Sequence, residues 1–129
     1  MSLKFTVSDF FPSPPDKLYA AWLDSEGHAE MTGAPADCSA HVDGQFQTWG
    51  GYIQGRNLEL ETGRRILQSW RTTQFTEEDE DSVLEVLFED EDGGTKLTVH
   101  HSNLPAHGME YYEGWKEHYF SPMQEHFSH

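Results

Sequence analysis

The hydrophobic side chains at the C-terminal end of this chain follow a helical period. Residues 109–127 read MEYYEGWKEHYFSPMQEHF, and at about 100° per residue the apolar and acidic side chains occupy opposite halves of the helical wheel. The pattern therefore predicts one amphipathic helix with an unusually aromatic face. The members of that face are Met109, Tyr111, Tyr112, Trp115, Tyr119, Phe120, Met123 and Phe127. Gly114 precedes the central tryptophan, and its missing side chain predicts a close approach to the sheet or to another helix.

The middle of the chain alternates between apolar and polar side chains, which is the period of a β-strand. Short turn signals separate the alternating segments, so neighbouring strands are expected to run antiparallel. These signals are Asp43-Gly44, Gly50-Gly51, Thr62-Gly63 and Asp92-Gly93-Gly94. The pattern predicts six strands, at about 36–42, 45–49, 52–61, 64–75, 82–89 and 95–103.

The sequence of the N-terminal part predicts a strand at 4–11 followed by two short helices. Ser13 and Pro14 are typical of a helix start, with Ser13 as the cap. Asp24 can cap a second helix that ends near Gly33. In the last helix Pro122 lacks a backbone donor, so we expect a kink or a restart there.

Together these elements predict an α+β fold. An aromatic helix that follows a long meander must lie against the sheet, because no other apolar surface remains to cover it. We expect a curved antiparallel sheet of six or seven strands wrapped around the long C-terminal helix. The first strand joins the sheet at an edge, and the two short helices close one end. At 129 residues, one domain over 1–129 is expected.

Composition narrows the class of protein. Cys38 is the only cysteine in the sequence, which excludes an intramolecular disulfide and fits a reducing compartment. The first residues lack a long apolar segment, and no apolar run is long enough to cross a bilayer. We therefore expect a cytoplasmic protein without a membrane partner.

The formal net charge of −15, from 8 Lys plus Arg and 23 Asp plus Glu, changes the expected partners. Such a chain has no basic surface for phosphates, so nucleic acid is excluded as a partner. The acidic residues are concentrated at 77–81 and 89–92, and neither run has the ligand spacing of a calcium loop. Both runs are interpreted as solvated hairpin loops that keep the protein soluble.

The order of elements resembles the helix-grip fold of the START and pollen-allergen superfamily, also called SRPBCC. Motifs along nearly the whole chain further resemble the domain of the activator-of-heat-shock-protein-90-ATPase homologue family. They are GQF at 44–46, WGGYIQG at 49–55, LELE at 58–61, RILQSWR at 65–71, GTKLT at 94–98, LP at 104–105, GW at 114–115 and YF at 119–120. The resemblance implies either a chaperone-regulating module or a small-molecule-binding domain.

Titratable side chains give few candidates for catalysis. His101 shares the inward parity of Leu97 and Val99, so it is either a polar group in a concave site or a hydrogen-bonded core histidine. The histidines of the last helix are eight residues apart, which does not align two metal ligands, so neither a metal nor a cofactor is expected. Cys38 is interpreted as a small core residue. Arg71 is interpreted either as a contact for a ligand carboxylate or as the partner of a nearby acid.

The aromatic side chains give the stronger hypothesis. Rings with polar groups around a concavity are typical of a small-molecule site, and the alternative is that they fill the space and leave a dry core. We hypothesise a non-catalytic domain, monomeric or homodimeric, that binds a small apolar or aromatic ligand between the sheet and the last helix. The candidate ligand-binding residues are Trp49, Trp70, His101, Tyr112, Trp115 and Tyr119.

Two other classes of function remain open on the sequence. The first is a co-chaperone-like regulator that contacts a heat-shock ATPase through its acidic surface. The second, with less support, is a cyclase- or hydrolase-like enzyme in which His101 or a tyrosine acts as general acid or base. No residue is assigned a catalytic role from the sequence.

Overall fold

The seven strands of the protein form one antiparallel sheet, seen in a computed structural model that describes residues 3–127. They are β1 (Leu3–Phe11), β2 (Ala36–Asp37), β3 (Gln45–Thr48), β4 (Ile53–Glu61), β5 (Arg65–Thr72), β6 (Ser82–Glu91) and β7 (Gly94–Leu104). Their order across the sheet is β1-β7-β6-β5-β4-β3-β2. The predicted meander is thus confirmed, and β1 joins it at an edge, beside β7.

Two short helices follow β1, as expected: α1 (Pro15–Leu23) and α2 (Ser25–Thr32). The Asp24 carboxylate accepts a hydrogen bond from the Gly27 N–H at 2.8 Å and caps α2, which ends at Gly33 with φ 77°. The predicted cap of α1 is wrong. Pro14 precedes the first helical residue, and no side chain caps it. The Ser13 carbonyl instead accepts a hydrogen bond from the Thr95 hydroxyl at 2.6 Å.

The C-terminal helix covers residues 110–127 and changes its pitch on the way. It consists of α3 (Glu110–Gly114), a π-helical segment (Trp115–Phe120) and α4 (Ser121–Phe127). The Ser121 N–H donates to the Lys116 carbonyl, five residues back. The α-helical period then resumes at Ser121, one residue before Pro122, so the expected restart is confirmed. None of the helices described in residues 3–127 is long and apolar enough to cross a membrane.

The π-helical segment shifts the buried face of this helix away from the ideal wheel. Most of the predicted aromatic face is buried against the sheet: Tyr111, Trp115, Tyr119, Phe120, Met123 and Phe127. The prediction is wrong for Met109, which precedes the first residue of the helix and is 50% exposed. Tyr112 is only half-buried, with its ring edge-to-face on Phe5 at 5.5 Å. Extra residues per turn rotate successive side chains by less than 100°, so a uniform wheel cannot assign every position.

The core lies between the inner face of the sheet and the C-terminal helix. Along β5 every second side chain is buried, beginning with Ile66 and continuing through Trp70 to Thr72. The short helices close the end of this layer, where the Tyr19 ring of α1 meets the Phe88 ring of β6 at 5.7 Å. The sheet therefore grips the helix in the expected α+β arrangement.

The predicted strand at 36–42 is wrong beyond its first two residues, because a buried side chain replaces the strand ladder. The amide of Asn57 donates to the carbonyls of Ser39 and His41 at 2.8 and 3.0 Å. The Asn57 carbonyl oxygen in turn accepts from the Gln68 amide at 2.8 Å. The segment 38–44 is thus held as a loop over the sheet, and β2 ends at Asp37.

Asn57→Ala should lower the free energy of unfolding by about 2–4 kcal/mol. The substitution removes two buried donors and leaves the Gln68 amide without its acceptor, and each such buried group costs about 1–3 kcal/mol. Urea denaturation followed by tryptophan fluorescence measures the change. Gln54→Ala, at an exposed position of the same strand, is the control and should cost about 0.5 kcal/mol or less. Equal losses in the two variants would show that Asn57 does not hold the loop.

Candidate binding cleft

A cleft separates the first half of the C-terminal helix from the ends of β3, β4 and β5. Its volume is about 490 Å³, within the range of about 300–1,000 Å³ that small-molecule sites occupy. Its walls are formed by Trp49, Ile53, Trp70, Tyr111, Trp115 and Tyr119. More exposed residues surround its mouth: Tyr52, Gln74, Glu110, Glu113, Gly114, Glu117 and His118. The interior of the cleft is thus mainly aromatic, and its mouth is polar.

Trp49 reaches the cleft from a turn with an uncommon backbone. Its φ is 57°, and Gly50 and Gly51 continue the turn with φ of 67° and 91°. A bulky side chain at positive φ is disfavoured, by about 1–2 kcal/mol. The Trp49 N–H donates to the Pro35 carbonyl at 2.9 Å, which fixes the entry into the turn. The turn therefore places a half-buried indole against the cleft, and the His118 ring lies edge-on to it at 5.5 Å.

The rings of the inner wall are supported from behind. Trp22 of α1 stacks on Tyr119 with centroids 5.4 Å apart and on Trp115 at 6.1 Å. Trp115 and Tyr119 are themselves 4.6 Å apart, and Trp70 meets the edge of Tyr111 at 5.0 Å. Because each ring has a second ring against it, none can turn into the cleft without losing a contact.

A hydrogen-bonded chain ends at Tyr119. The Nδ1 atom of His28 lies 2.9 Å from the Trp22 carbonyl, which can only accept, so we assign the proton of the neutral ring to Nδ1. Nε2 then accepts from the Tyr119 hydroxyl at 2.9 Å. The Thr48 hydroxyl lies 3.3 Å from the same Tyr119 oxygen and donates to it. The Tyr119 hydroxyl, which is the polar end of this wall, is therefore already hydrogen-bonded within the protein.

His101 belongs to a second closed network, behind the cleft. The Ser82 hydroxyl donates to the Trp70 carbonyl at 2.6 Å, so Ser82 Oγ accepts from His101 Nε2 at 2.8 Å. His101 Nδ1 then accepts from the Trp115 indole N–H at 3.1 Å. The side chain is fully buried and does not line the cleft. The inward parity expected for His101 is confirmed, and its partners are a serine and a tryptophan.

The structure brings together four of the six candidate residues. Trp49, Trp70, Trp115 and Tyr119 line the cleft, while His101 lies beneath it. Tyr112 faces the β1 side of the helix, where its hydroxyl accepts from the Lys116 ammonium at 3.1 Å. On the helical wheel Tyr112 lies about 100° from Tyr111 and about 60° from Trp115, so it falls at the edge of a face centred on those two residues.

Several lining residues were missed by the sequence analysis. Tyr52 and Ile53 follow the turn of Trp49, and only the folded turn shows that they face the helix. Gly114 was expected to allow a close approach, and that expectation is wrong. A Cβ placed on Gly114 would meet no atom within 4 Å.

Arg71 lies outside the cleft and is already paired. Its guanidinium donates to the Asp81 carboxylate at 2.8 Å and to the Thr76 carbonyl at 2.8 Å. Of the two alternatives for this residue, the ion pair with an acid is the one the structure shows. Within residues 3–127, no group of three or more His, Cys, Asp or Glu side chains is placed to hold a metal ion.

Burial shifts the titration of the polar groups near the cleft. It lowers the pKa of His28 to about 4, despite the opposing hydrogen bond to the Trp22 carbonyl, and lowers the pKa of His101 to about 3. Burial also raises the pKa of the Tyr119 and Tyr111 hydroxyls above their usual value. At neutral pH all four groups are therefore uncharged.

The sequence of this chain matches the model of a known protein family. The model of the family "Activator of Hsp90 ATPase homolog 1-like protein" matches residues 12–128. The chain belongs to this family. The family resemblance predicted from the sequence motifs is thereby confirmed.

Curated relatives of this family member are longer proteins. The human "Activator of 90 kDa heat shock protein ATPase homolog 1" is 27% identical over 125 residues, which are 96% of this chain and 37% of that protein. The mouse "Activator of 90 kDa heat shock protein ATPase homolog 2" is 29% identical over 100 residues, or 78% of this chain and 30% of that protein. The chain thus spans about a third of the length of these relatives.

Solved structures share the fold over nearly the whole chain. An HSP90 activator from Plasmodium falciparum superimposes with a TM-score of 0.86 at 23% identity, covering 95% of this chain and 94% of that one. The Aha1 dimer from Colwellia psychrerythraea gives a TM-score of 0.80 at 13% identity, covering 97% and 96%. These likenesses confirm the helix-grip fold.

Acidification should destabilise the protein through the two buried neutral histidines. An unfolded histidine binds its proton below pH 6.5, whereas His28 and His101 stay unprotonated in the folded state until about pH 4 and about pH 3. The unfolded state therefore binds more protons in this window, so stability is complete above pH 6.5 and falls as pH decreases. Each histidine contributes up to about 1.4 kcal/mol per pH unit to this slope.

Urea denaturation between pH 7 and about pH 4.5 tests the expectation. The double variant His28→Gln/His101→Gln should have a shallower dependence than the original chain. His100→Gln, at a half-buried position of the same strand as His101, is the control for the substitution itself. If the double variant also keeps that slope, the two histidines are not the source of the acid sensitivity.

Proposed function

We propose that the chain binds a small apolar or aromatic molecule in the cleft between the sheet and the C-terminal helix. The observation that carries this proposal is the unfilled space of about 490 Å³ among aromatic walls. Cores normally close to a density that leaves few voids larger than a water molecule. Here the rings hold one another in place and leave an opening of ligand size.

Gly114 supports the proposal because neither the backbone nor the packing requires a glycine there. Its φ and ψ are −58° and −40°, which any residue adopts in a helix. A side chain at this position would point into open space beside the cleft. Glycine inside a helix costs about 0.8–1.0 kcal/mol relative to alanine. A bound molecule that lies over this part of the helix would account for the glycine.

The pKa values of the titratable groups in and behind the cleft favour binding over catalysis. A general acid or base works best when its pKa is close to the working pH. Burial moves the pKa of Tyr119 up and that of His28 down to about 4, so neither exchanges a proton readily near neutrality. Burial, followed by the nearby Asp37 and Asp24 carboxylates, also raises the pKa of the Cys38 thiol to about 12, which disfavours a nucleophilic role.

Two substitutions at Gly114 test the cleft without removing any core contact. Gly114→Leu should fill the opening and weaken binding of a neutral apolar dye by about tenfold or more, since a helical leucine at this position competes for the same space. Gly114→Ala adds one methyl group, so it should weaken binding less than Gly114→Leu does, and it should stabilise the protein by up to about 1 kcal/mol. Dye fluorescence and quenching of the cleft tryptophans measure binding, and urea denaturation measures stability.

Two results of the dye experiment would contradict the proposal. If the dye binds equally well to the original chain and to Gly114→Leu, its site is elsewhere. If the dye does not bind the original chain at all while that chain is folded, the cleft does not accept apolar molecules of this size. A stability gain in Gly114→Ala together with a smaller loss of binding than in Gly114→Leu separates helix propensity from occlusion.

A second candidate function is contact with an Hsp90-type ATPase. It rests on the family and on relatives that are named as activators of this ATPase. The β5–β6 loop offers an acidic surface, since Glu77, Glu78 and Glu80 are exposed. These three differ from Asp79, whose carboxylate accepts from the Thr76 N–H, and from Asp81, which pairs with Arg71. They can meet a basic partner surface without disturbing the loop.

ATPase turnover and binding measured with a purified Hsp90-type ATPase test this candidate. The variant Glu77→Gln/Glu78→Gln/Glu80→Gln should weaken binding several-fold at low salt, because it removes long-range attraction. The matched control Glu89→Gln/Asp90→Asn/Glu91→Gln removes the same charge at the other end of β6 and should bind as the original chain does. Absence of both binding and any change in turnover at low salt would reject this function.

A further inference from the structure

We propose that the cleft selects an organic cation with an aromatic or apolar body. This inference rests on the proposed small-molecule function and adds the charge of the ligand to it. Two observations carry it: acidic side chains surround one edge of the mouth, and the walls are mainly aromatic. A cation attached to an apolar body would use both at once.

The acidic edge is made by Glu110, Glu113 and Glu117, which lie along the helix on either side of Gly114. All three side chains are exposed. Neither lysine nor arginine occurs among the lining residues that the structure describes. The mouth therefore favours a positive charge over a negative one, and the formal net charge of −15 acts in the same direction.

Ordinary helix chemistry explains these glutamates only in part. Glu110 and Glu113 lie in the first turn of α3, where the positive end of the helix dipole favours carboxylates. Glu117 is about two turns from the start of the same helix, beyond the range of that effect. Within residues 3–127, no salt bridge joins any of the three to a cation.

The nearest lysine lies outside the cleft. Its hydrogen bond to the Tyr112 hydroxyl and, to a smaller extent, the Glu113 carboxylate raise the pKa of Lys116. Lys116 lies between Glu113 and Glu117 in sequence, but its ammonium stands over the Tyr112 ring, 4.2 Å from the centroid, and not in the cleft. Its Nζ atom also donates to the Tyr112 hydroxyl at 3.1 Å. This contact shows, on the opposite side of the same helix, the combination of cation and aromatic face that we infer for the ligand.

The aromatic walls add selectivity that surface charge alone lacks. Tryptophan faces attract cations more strongly than other rings do, and rings around a concavity are the usual site for quaternary ammonium groups. Trp49 is half-buried and forms one side of the cleft, and Trp115 and Trp70 form its inner wall. An anionic ligand of the same shape would meet both the carboxylates and the negative ring faces, so it should be rejected.

Three naphthalene probes that differ only in charge test the inference. They are naphthylmethyl-trimethylammonium, naphthylmethanol and naphthylmethanesulfonate. At low salt the cation should bind the original chain about tenfold more tightly than the alcohol, and the sulfonate more weakly than both. Raising the salt from about 0.01 M to about 0.1 M, which shortens the Debye length from about 30 Å to about 10 Å, should reduce the difference. Quenching of tryptophan fluorescence and titration calorimetry measure the affinities.

Two matched variants locate the source of the preference. Glu110→Gln/Glu113→Gln/Glu117→Gln removes the charge of the mouth and should reduce the difference between cation and alcohol to about twofold or less. Glu89→Gln/Asp90→Asn/Glu91→Gln removes the same charge at the far end of the ten-residue strand β6 and should retain the preference. A cooperative thermal unfolding transition shows that each variant is folded.

The outcomes distinguish small-molecule binding in the cleft from selection of a cation by the cleft. If the alcohol binds as tightly as the cation, and Gly114→Leu blocks both, the cleft binds small molecules but does not select cations. The three glutamates do not cause the preference for the cation if the variant that lacks them keeps it. The same conclusion follows if the variant changed at Glu89, Asp90 and Glu91 loses the preference to the same extent. If none of the probes binds the folded original chain, the proposed small-molecule function fails, and this inference fails with it.

Discussion

Trp115 is fixed where the C-terminal helix, β5 and β7 meet, and the position of the whole helix depends on it. Its indole is 3% exposed, its N–H donates to His101 on β7 at 3.1 Å, and its ring lies 6.0 Å from Trp70 on β5. A shift of the helix by one residue would break this hydrogen bond inside a closed network, which is more costly than losing the same bond in water. The helix therefore has one register on the sheet. Because residues of this helix form part of the mouth of the cleft, that register also determines where the mouth lies.

The same interaction explains why space remains beside it. Planar rings meet preferentially edge-to-face or offset, so a set of them supports itself without filling every gap. Gly114 is the neighbour of Trp115 and adds no side chain to the gap. After Trp115 the π-helical segment brings Tyr119 and Phe120 into the buried layer as consecutive residues. The wider turn thus keeps the second half of the helix closed on the core while the first half borders the cleft.

Sequence periodicity predicted the features that follow from local chemistry. Alternation on β7 correctly placed His101 inside, because neighbouring strand residues face opposite sides. The limits appear where a tertiary contact overrides the local pattern. Asn57 looked like an ordinary strand residue, yet its amide converts most of a predicted strand into a loop. Tyr112 was assigned to the aromatic face, yet it falls at the edge of that face and is only half-buried. The glutamates of the mouth looked like a solvated face, since a wheel cannot show that a cleft lies beside them.

The distribution of polar groups bears directly on the ligand binding that we propose for this cleft. Its inner hydroxyls are already paired: Tyr119 donates to His28, and Tyr111 lies 2.6 Å from the Thr72 hydroxyl. Because those partners are protein groups, a ligand gains little by competing for them. The charges of the mouth, in contrast, stay in water and change little in solvation when a ligand enters. In the binding that we propose, shape and ring contacts would act inside the cleft and electrostatic attraction would act at its mouth. Such a division suits binding and release of an amphiphilic molecule better than chemical conversion, which would need a reactive group exposed among the rings.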